Sequence, residues 1–338
     1  MDKKSLSFLF VGLLIGVFGA TVTLAVMAGS GYGSGSSQTK VLKLAHSLDQ
    51  AHPVHLAMVH MAEKVAENSG GALQVQIFPN GQLGTETETV AQVQRGALAL
   101  VKTSAASMEA LVPEMGVFSV PYLFRDEEHY WNVLNGPVGE EFLQMGVSQG
   151  LHGLTYYDAG ARSFYASKKP IQTPADLRGM KVRVMQSDGA ISGLAATGAS
   201  PTPVPWGDLY TALQQGMVDA AENNVPSYFT SRHYEVAPYF SLDEHMRIPD
   251  ILLISEVVWN NLTPEEKQWL TDAADTSLQF QRELWAEQTE ANLKELENLG
   301  VKIYHPDQKP FAAAVQDYQN SLRQTRLGKY IEAIEEVQ

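Results

Sequence analysis

The apolar positions of this chain alternate between two periods. Val41-Leu-Lys-Leu-Ala45 reads as a strand, and Leu73, Val75 and Ile77 alternate with Gln74 and Gln76 as in a half-buried strand. Between them, Val54, Met58, Met61, Ala62 and Val65 fall at helical spacing, and Asn68-Ser-Gly-Gly71 stops that helix. Thr85 and Glu88 form a capping box for a helix reaching Gly96. The pattern recurs in the middle of the chain. Thr173 with Pro174 starts a helical turn that ends at Gly179, residues 181–185 form a strand, residues 206–215 a helix stopped by Gly216, and residues 218–221 a short buried strand. Thr263-Pro-Glu-Glu266 joins an N-cap, a proline at the first helical position and a capping-box glutamate. No strong breaker follows until Gly300, which predicts a helix of roughly 35 residues, well beyond the usual globular length. Trp269, Leu270, Ala273, Leu278, Leu284 and Leu293 supply its apolar side. Such a helix outruns one small domain and is expected to run across two. Residues 301–304 return as a strand, and a final amphipathic helix closes the chain. Strands alternating with helices argue for an α/β fold with helical crossovers.

Composition narrows the class. The 338 residues suffice for two domains with their own cores, and 44% hydrophobic with 18% charged residues is ordinary for a folded protein. A net charge of -14 and the lack of a basic run disfavour nucleic acid as a partner. An anion must then be captured by local arginines, not by a general positive field. The absence of cysteine excludes disulfides, thiolate metal sites, cysteine nucleophiles and a lipid-anchoring cysteine. Lys3 and Lys4 precede an uncharged apolar run at residues 6–27, and a Gly/Ser-rich tether follows at 29–37. This is an export segment, with the lysines on the cytoplasmic side. Val26 and Ala28 suit a signal-peptidase site, so cleavage is favoured, although the run is also about long enough to stay as a bilayer anchor. The globular part is expected outside the cytoplasmic membrane.

Several segments could carry chemistry. In the strand at 181–185, Val182 and Val184 point to one face and Lys181 and Arg183 to the other. An arginine in an otherwise apolar strand is costly unless an anion meets it, and its fork matches a carboxylate bidentately. A structural salt bridge is the competing account. Gly160-Ala-Arg-Ser-Phe-Tyr165 sets Arg162 among polar and aromatic residues, and Glu222, Asn223 and Asn224 stand at a strand end ahead of Pro226. Amides there suit hydroxyl and carboxylate partners, although turn chemistry alone would also explain them. His46, Asp49, His52, His55 and His60 crowd one stretch, but no His-Glu-x-x-His pattern accompanies them. Pocket-edge hydrogen bonding by His46 and Asp49 is therefore preferred to a metal site. Asp243 with His245 lacks the Gly-x-Ser-x-Gly elbow of a hydrolase, so His245 is kept as a binding candidate. Phosphate loops, dinucleotide fingerprints and zinc motifs are absent, and no cofactor is expected.

Taken in order, these segments resemble the periplasmic solute-binding subunits of tripartite ATP-independent periplasmic (TRAP) transporters, the DctP family. The resemblance rests on Phe78-Pro-Asn-Gly-Gln-Leu-Gly84, Val117-Phe-Ser-Val-Pro-Tyr-Leu-Phe124 and Asp176-Leu-Arg-Gly-Met-Lys-Val-Arg-Val184. It continues in Gly198-Ala-Ser-Pro-Thr-Pro203, Gln214-Gln-Gly-Met-Val-Asp-Ala-Ala-Glu-Asn223 and Tyr234-Glu-Val236. It implies a two-domain periplasmic binding protein with a cleft between the domains and a long helix spanning both. The expected bounds are residues 1–39 for the export segment and tether, 40–159 with 249–288 for domain I, and 160–248 with 289–338 for domain II. It also implies that Arg183 pairs with the ligand carboxylate, and that Arg162 and Asn223 add donors. Ser104 and Ser107 stand where the sialic-acid branch carries an acid and an arginine, which argues against that ligand. Lys102, Ser104, Asn224, the histidine-rich turn, and Trp206 and Tyr228 as stacking surfaces instead suit a polyhydroxylated acid such as a hexuronate or aldonate. A C4-dicarboxylate is the runner-up. The implied partners are a small carboxylated solute and the small and large membrane subunits of a TRAP permease. A monomer is expected, with a dimer as the alternative. The competing class is an exported sugar-acid lyase or epimerase with His46 as base; a third reading is a free-standing binding protein that serves a sensor.

Overall fold

The computed structural model describes residues 39–338, so the export segment and the tether lie outside the described residues. The chain first builds one sheet. Strand β1 (Lys40–Ala45), helix α1 (Pro53–Asn68), β2 (Leu73–Phe78), α2 (Glu86–Gln94) and β3 (Leu100–Ser104) follow the expected alternation. Two 3-10 turns, α3 (Glu127–Leu134) and α4 (Pro137–Met145) lead to β4 (Leu151–Tyr157). The chain then crosses to a second sheet through residues 158–161. There it forms β5 (Arg162–Ala166), α5 (Pro174–Leu177), β6 (Lys181–Val184), α6 (Asp188–Ala195), β7 (Ser200–Pro203), α7 (Leu209–Gln214), β8 (Ala220–Asn223), α8 (Val225–Thr230) and β9 (Tyr239–Met246). A second crossing returns it to the first sheet as β10 (Asp250–Ser255), followed by α9 (Glu256–Asn260) and α10 (Pro264–Asn298). The chain ends with β11 (Lys302–Tyr304) in the second sheet, then α11 (Gln308–Leu322) and α12 (Gly328–Glu336).

The first sheet has the order β2-β1-β3-β10-β4 and the second β11-β9-β5-β8-β6-β7. β10 lies antiparallel between β3 and β4, and β5 lies antiparallel between β9 and β8, so each crossing strand is embedded in its new sheet. Alternate residues then serve opposite faces. On the first sheet, Leu42, Leu44, Leu252 and Ile254 pack with α1 and α10, whereas Ala45, Val101, Ile251 and Leu253 pack with the 3-10 turns, α3 and α4. On the second, Tyr165, Ala221 and Phe240 face α7 and α8, and Phe164, Ala166, Val182 and Val184 face α6 and α11. Each sheet with its helices forms one lobe of an α/β sandwich.

The long helix forms as its sequence predicts. Thr263 and Glu266 make the reciprocal capping box, and α10 runs 35 residues. Its first half packs through Leu270, Ala273 and Ala274 on α1, and Leu296 packs with Val301 and Phe240 of the second lobe. In the middle, Gln281 clips the first crossing: its Oε1 accepts from Asp158 N at 2.8 Å and its Nε2 donates to Asp158 O at 2.9 Å. Gly160 makes room for the same helix. Its φ is +57°, and a Cβ there would stand 3.0 Å from the Trp285 ring.

Three local expectations change. Residues 206–215 divide into a 3-10 turn and α7, and the strand expected at 218–221 starts two residues later, because polar Glu222 and Asn223 find partners inside the sheet. The single final helix is two. α12 also departs from the expected allotment of 289–338 to domain II. Its Tyr330, Ile331 and Ile334 share a core with Phe142 of α4, the apolar surface that matches them.

Gln281→Leu would leave the Asp158 N–H and C=O buried without partners. Chemical denaturation should show a loss of about 2–4 kcal/mol, since each unsatisfied buried group costs about 1–3 kcal/mol; an unchanged midpoint would mean that the clip contributes nothing.

Candidate functional site

The order β5-β8-β6 places one carboxylate between two arginines. Glu222 stands near the end of β8 and is 0% exposed. Arg162, at the start of β5, takes that carboxylate for itself. Its Nε and Nη2 donate to the two carboxylate oxygens (Nη2 to Oε1, 2.9 Å), Nη2 also reaches Glu222 O at 3.0 Å, and Nη1 donates to Asn223 Oδ1 at 3.0 Å. Burial disfavours the Arg162 cation, but the charge and hydrogen bonds of Glu222 outweigh that and raise its pKa overall. His245 lies behind the pair, with Nε2 3.9 Å from Glu222 Oε2 and Nδ1 2.9 Å from Asp243 Oδ2, and stacks on Phe164.

Arg183 is left over. It is 3% exposed, its Nε donates to Val204 O at 2.8 Å, and its guanidinium lies 5.8 Å from the Trp206 ring centroid. Among the described residues no carboxylate comes within ion-pair distance of it, and Nη1 has no protein partner. Burial lowers its pKa, with Arg162 adding to the effect and Glu222 opposing it. An arginine nevertheless keeps its charge, so the site holds a desolvated cation that lacks an anion.

That cation lines a small cavity of about 40 Å³ between the lobes. Arg162, Met185, Trp206, Asn223 and Asn224 complete the second-lobe wall, while Ser47, Glu86, Lys102, Ser104 and Asp250 form the first-lobe wall. Lys102 is pinned by Asp250 Oδ2 at 2.8 Å, with Glu86 Oε1 3.8 Å away. Glu86 is aimed by two hydroxyls, Ser47 Oγ at 3.1 Å and Ser107 Oγ at 2.8 Å. Ser104 Oγ has no partner. An adjoining space of about 30 Å³ shares Arg183, Met185, Trp206 and Glu86. The pocket is thus built to offer a cation on one side and hydrogen-bonding groups of both kinds on the other. A larger cavity of about 660 Å³ lies along α10, but its Arg247 pairs with Glu244 and its Arg282 covers Trp131, so no cation there lacks a partner group.

Of the candidate residues, Arg183, Arg162, Asn223, Asn224, Lys102, Ser104 and Trp206 line the small cavity. Four others do not. Asp49 is exposed and accepts from Ala51 N in its own turn. Tyr228 is a core residue whose hydroxyl donates to Ala237 O at 2.8 Å. His245 stands behind Glu222. His46 is buried off the wall; its Nδ1 accepts from Leu48 N, so its Nε2–H donates to His55 Nδ1 at 3.0 Å. His52 is the N-cap of α1 and bonds Ser227 across the lobe boundary. Glu86 went unnoticed because the Thr85–Glu88 capping box accounts for acids at that helix start; its pairing with Ser47 and Ser107 exists only in three dimensions.

The match to known proteins agrees with this geometry. A model of the bacterial extracellular solute-binding proteins, family 7 (DctP), matches residues 44–325. The chain belongs to that family. It is 43% identical over 285 residues to an uncharacterized protein, YiiZ, of Salmonella typhimurium, covering 84% of this chain and 87% of the relative. A TRAP periplasmic solute-binding protein of Xanthobacter autotrophicus, solved with bound β-D-galacturonate, superposes with a TM-score of 0.84 at 38% identity, covering 88% of this chain and 100% of that one. One from Roseobacter denitrificans, with bound β-D-glucuronate, gives 0.84 at 35% identity over 88% and 100%. The two-sheet architecture and the long helix are those of the two-domain DctP proteins.

Burial makes this DctP protein sensitive to acid. Burial, Lys102 and His55 push His46 down to about 2; burial and Arg183 push His233 down to about 3; burial first, then Lys102, holds His52 well below its ordinary value. Each folded histidine stays neutral while the unfolded one protonates, so stability is lost as pH falls through about 6.5. Asp158, raised by burial to about 6, acts with the opposite sign. His233 can be isolated because it lies off the cavity wall and bonds only Tyr165. Between pH 7.5 and pH 5 it should cost about 2 kcal/mol, and His233→Gln should shrink the pH dependence of the unfolding free energy by that amount; an unchanged dependence would refute the assignment.

Proposed function

We propose that this protein captures a hexuronate outside the cytoplasmic membrane and delivers it to the membrane subunits of a TRAP permease. The carrying observation is Arg183, a buried guanidinium with a free Nη1 and no carboxylate of its own. A solute carboxylate supplies the missing charge and accepts from the fork. Arg162 is spent on Glu222, so its part is to present Asn223 and hold the wall. Glu86, Lys102 and Ser104 on the facing wall, with Asn224 on the Arg183 side, suit the hydroxyls of a sugar ring. The galacturonate and glucuronate held by the two structural relatives are acids of this kind. The sequence-level features of the first residues support export by a cleaved signal.

Glu86 also weighs between solutes. A C4-dicarboxylate would bring a second carboxylate toward the Glu86 side, and like charges in a desolvated site repel. The lyase or epimerase reading needs a base with a pKa near neutrality, whereas His46 is pushed down to about 2 and is hydrogen-bonded away from the wall.

Thermal unfolding with D-galacturonate, D-glucuronate and L-malate tests the reading. A uronate at about 100 times its dissociation constant should add about 2.7 kcal/mol of stability, and malate far less. Arg183→Ala should keep the fold and lower calorimetric affinity by about 30-fold to several-thousand-fold, the cost of removing one side of a buried charge pair. Normal uronate binding by that variant would overturn the clamp, and a preference for malate would overturn the solute class.

A further inference from the structure

The cavity walls come from both lobes, so parting the lobes takes the site apart. One polar contact spans the same boundary without lining the main cavity. Glu109 follows the 3-10 turn Ala105–Met108 on the first lobe, two residues beyond Ser107. Its carboxylate ends on α6 of the second lobe, two residues beyond Met185. Oε2 accepts from Ser187 Oγ at 2.5 Å, and Gly189 N lies 2.9 Å from Oε2 and 3.1 Å from Oε1. Ser187 meanwhile caps α6 by accepting from Ala190 N. A carboxylate from one lobe thus meets the positive end of an eight-residue helix of the other.

The surfaces around this contact are shaped for it. A Cβ on Gly116 would stand 2.6 Å from Glu109 Oε1. Gly189 and Gly193, one helical turn apart on α6, face the first-lobe segment around Ser119. A Cβ on Gly189 would come 3.0 Å from Ser119 Cβ, and one on Gly193 would come 3.0 Å from Ser119 O and 3.2 Å from Pro121. The close approach needs side-chain-free positions on the helix, and it brings the Gly189 N–H within reach of Glu109.

We propose that Glu109 is a clasp that holds the lobes closed over the solute and sets how long the solute stays. It is a positioning residue, since it touches α6 and not the ligand. The proposal rests on the solute assignment above only for its choice of probe. A ligand's apparent affinity scales with the population of the binding-competent closed state, and loss of a contact made only on closure appears mainly in dissociation.

The test is stopped-flow release of D-galacturonate, with thermal unfolding of ligand-free protein alongside. Glu109→Ala should speed release by about tenfold or more, as expected for charge-assisted hydrogen bonds, and leave the association rate nearly unchanged. Gly193→Val, which wedges the same seam, should shift release in the same direction. Unchanged release in Glu109→Ala, or a lowered ligand-free melting temperature with unchanged release, would overturn the clasp and leave a purely structural contact. If wild-type protein binds no uronate, the solute assignment fails by itself. Small-angle scattering of ligand-free wild type and Glu109→Ala then decides the clasp: the variant must be the more expanded particle, and equal radii overturn the proposal.

Discussion

Two buried guanidinium groups share one buried carboxylate, and much of this molecule is arranged around that imbalance. Glu222 on β8 lies between the strands of Arg162 and Arg183, and Arg162 takes both of its oxygens. Removing an ion from water costs several kcal/mol unless it is paired and hydrogen-bonded. Arg162 is compensated within the protein. Arg183 has one backbone carbonyl and the face of Trp206. On the proposed function, the remaining compensation arrives with the solute, and the second lobe serves as an anion receptor despite the net charge of -14. The -14 and the buried, unpaired Arg183 are compatible, because a small buried site answers to its nearest groups and not to distant screened charges.

The rest of the architecture keeps that cation dry while still letting a solute in. Each sheet carries cores on both faces, so most of each lobe's packing is internal, although Met185 and Met246 of the second lobe reach into a first-lobe core. The two crossings, α10 and the passage from α11 to α12 join them, and Gln281 ties α10 to the first crossing. Lobes that are internally rigid and linked by few segments favour hinge closure over internal rearrangement. Among the contacts that bridge them, His52 with Ser227, Glu109 with Ser187 and Gly189, and Tyr122 with Asp243 are polar. Polar contacts can be exchanged for water at small net cost, which suits a boundary that must open. A wholly apolar seam would resist opening in proportion to its area.

The histidine-rich turn shows how burial redirects a sequence motif. His46, His52 and His55 looked like a metal or pocket-edge cluster, but both ring nitrogens of buried His46 and His52 are occupied by a backbone amide, a serine or another histidine, and His55 Nδ1 is taken by His46. Neutral, buried and hydrogen-bonded, they fix the turn that presents Ser47 and Leu48 to the cavity.

The sequence alone determined whatever depends on neighbours a few residues apart. The capping boxes at Thr85 and Thr263, the 35-residue helix, the strand carrying Arg183 and the switch between periods two and 3.6 are local patterns, and they fold as written. Tertiary structure decided the pairings. Nothing in the spacing of Arg162, Arg183 and Glu222 says which arginine wins the carboxylate; the placement of β8 between β5 and β6 does. Asp49 and Tyr228 carried suitable chemistry, yet one turned to solvent and the other into the core. Nothing in the local sequence singles out Glu86 or Glu109; partners distant in sequence do. Local propensity is set by the chain's own backbone, whereas a binding site is an agreement among segments that strand order alone brings together.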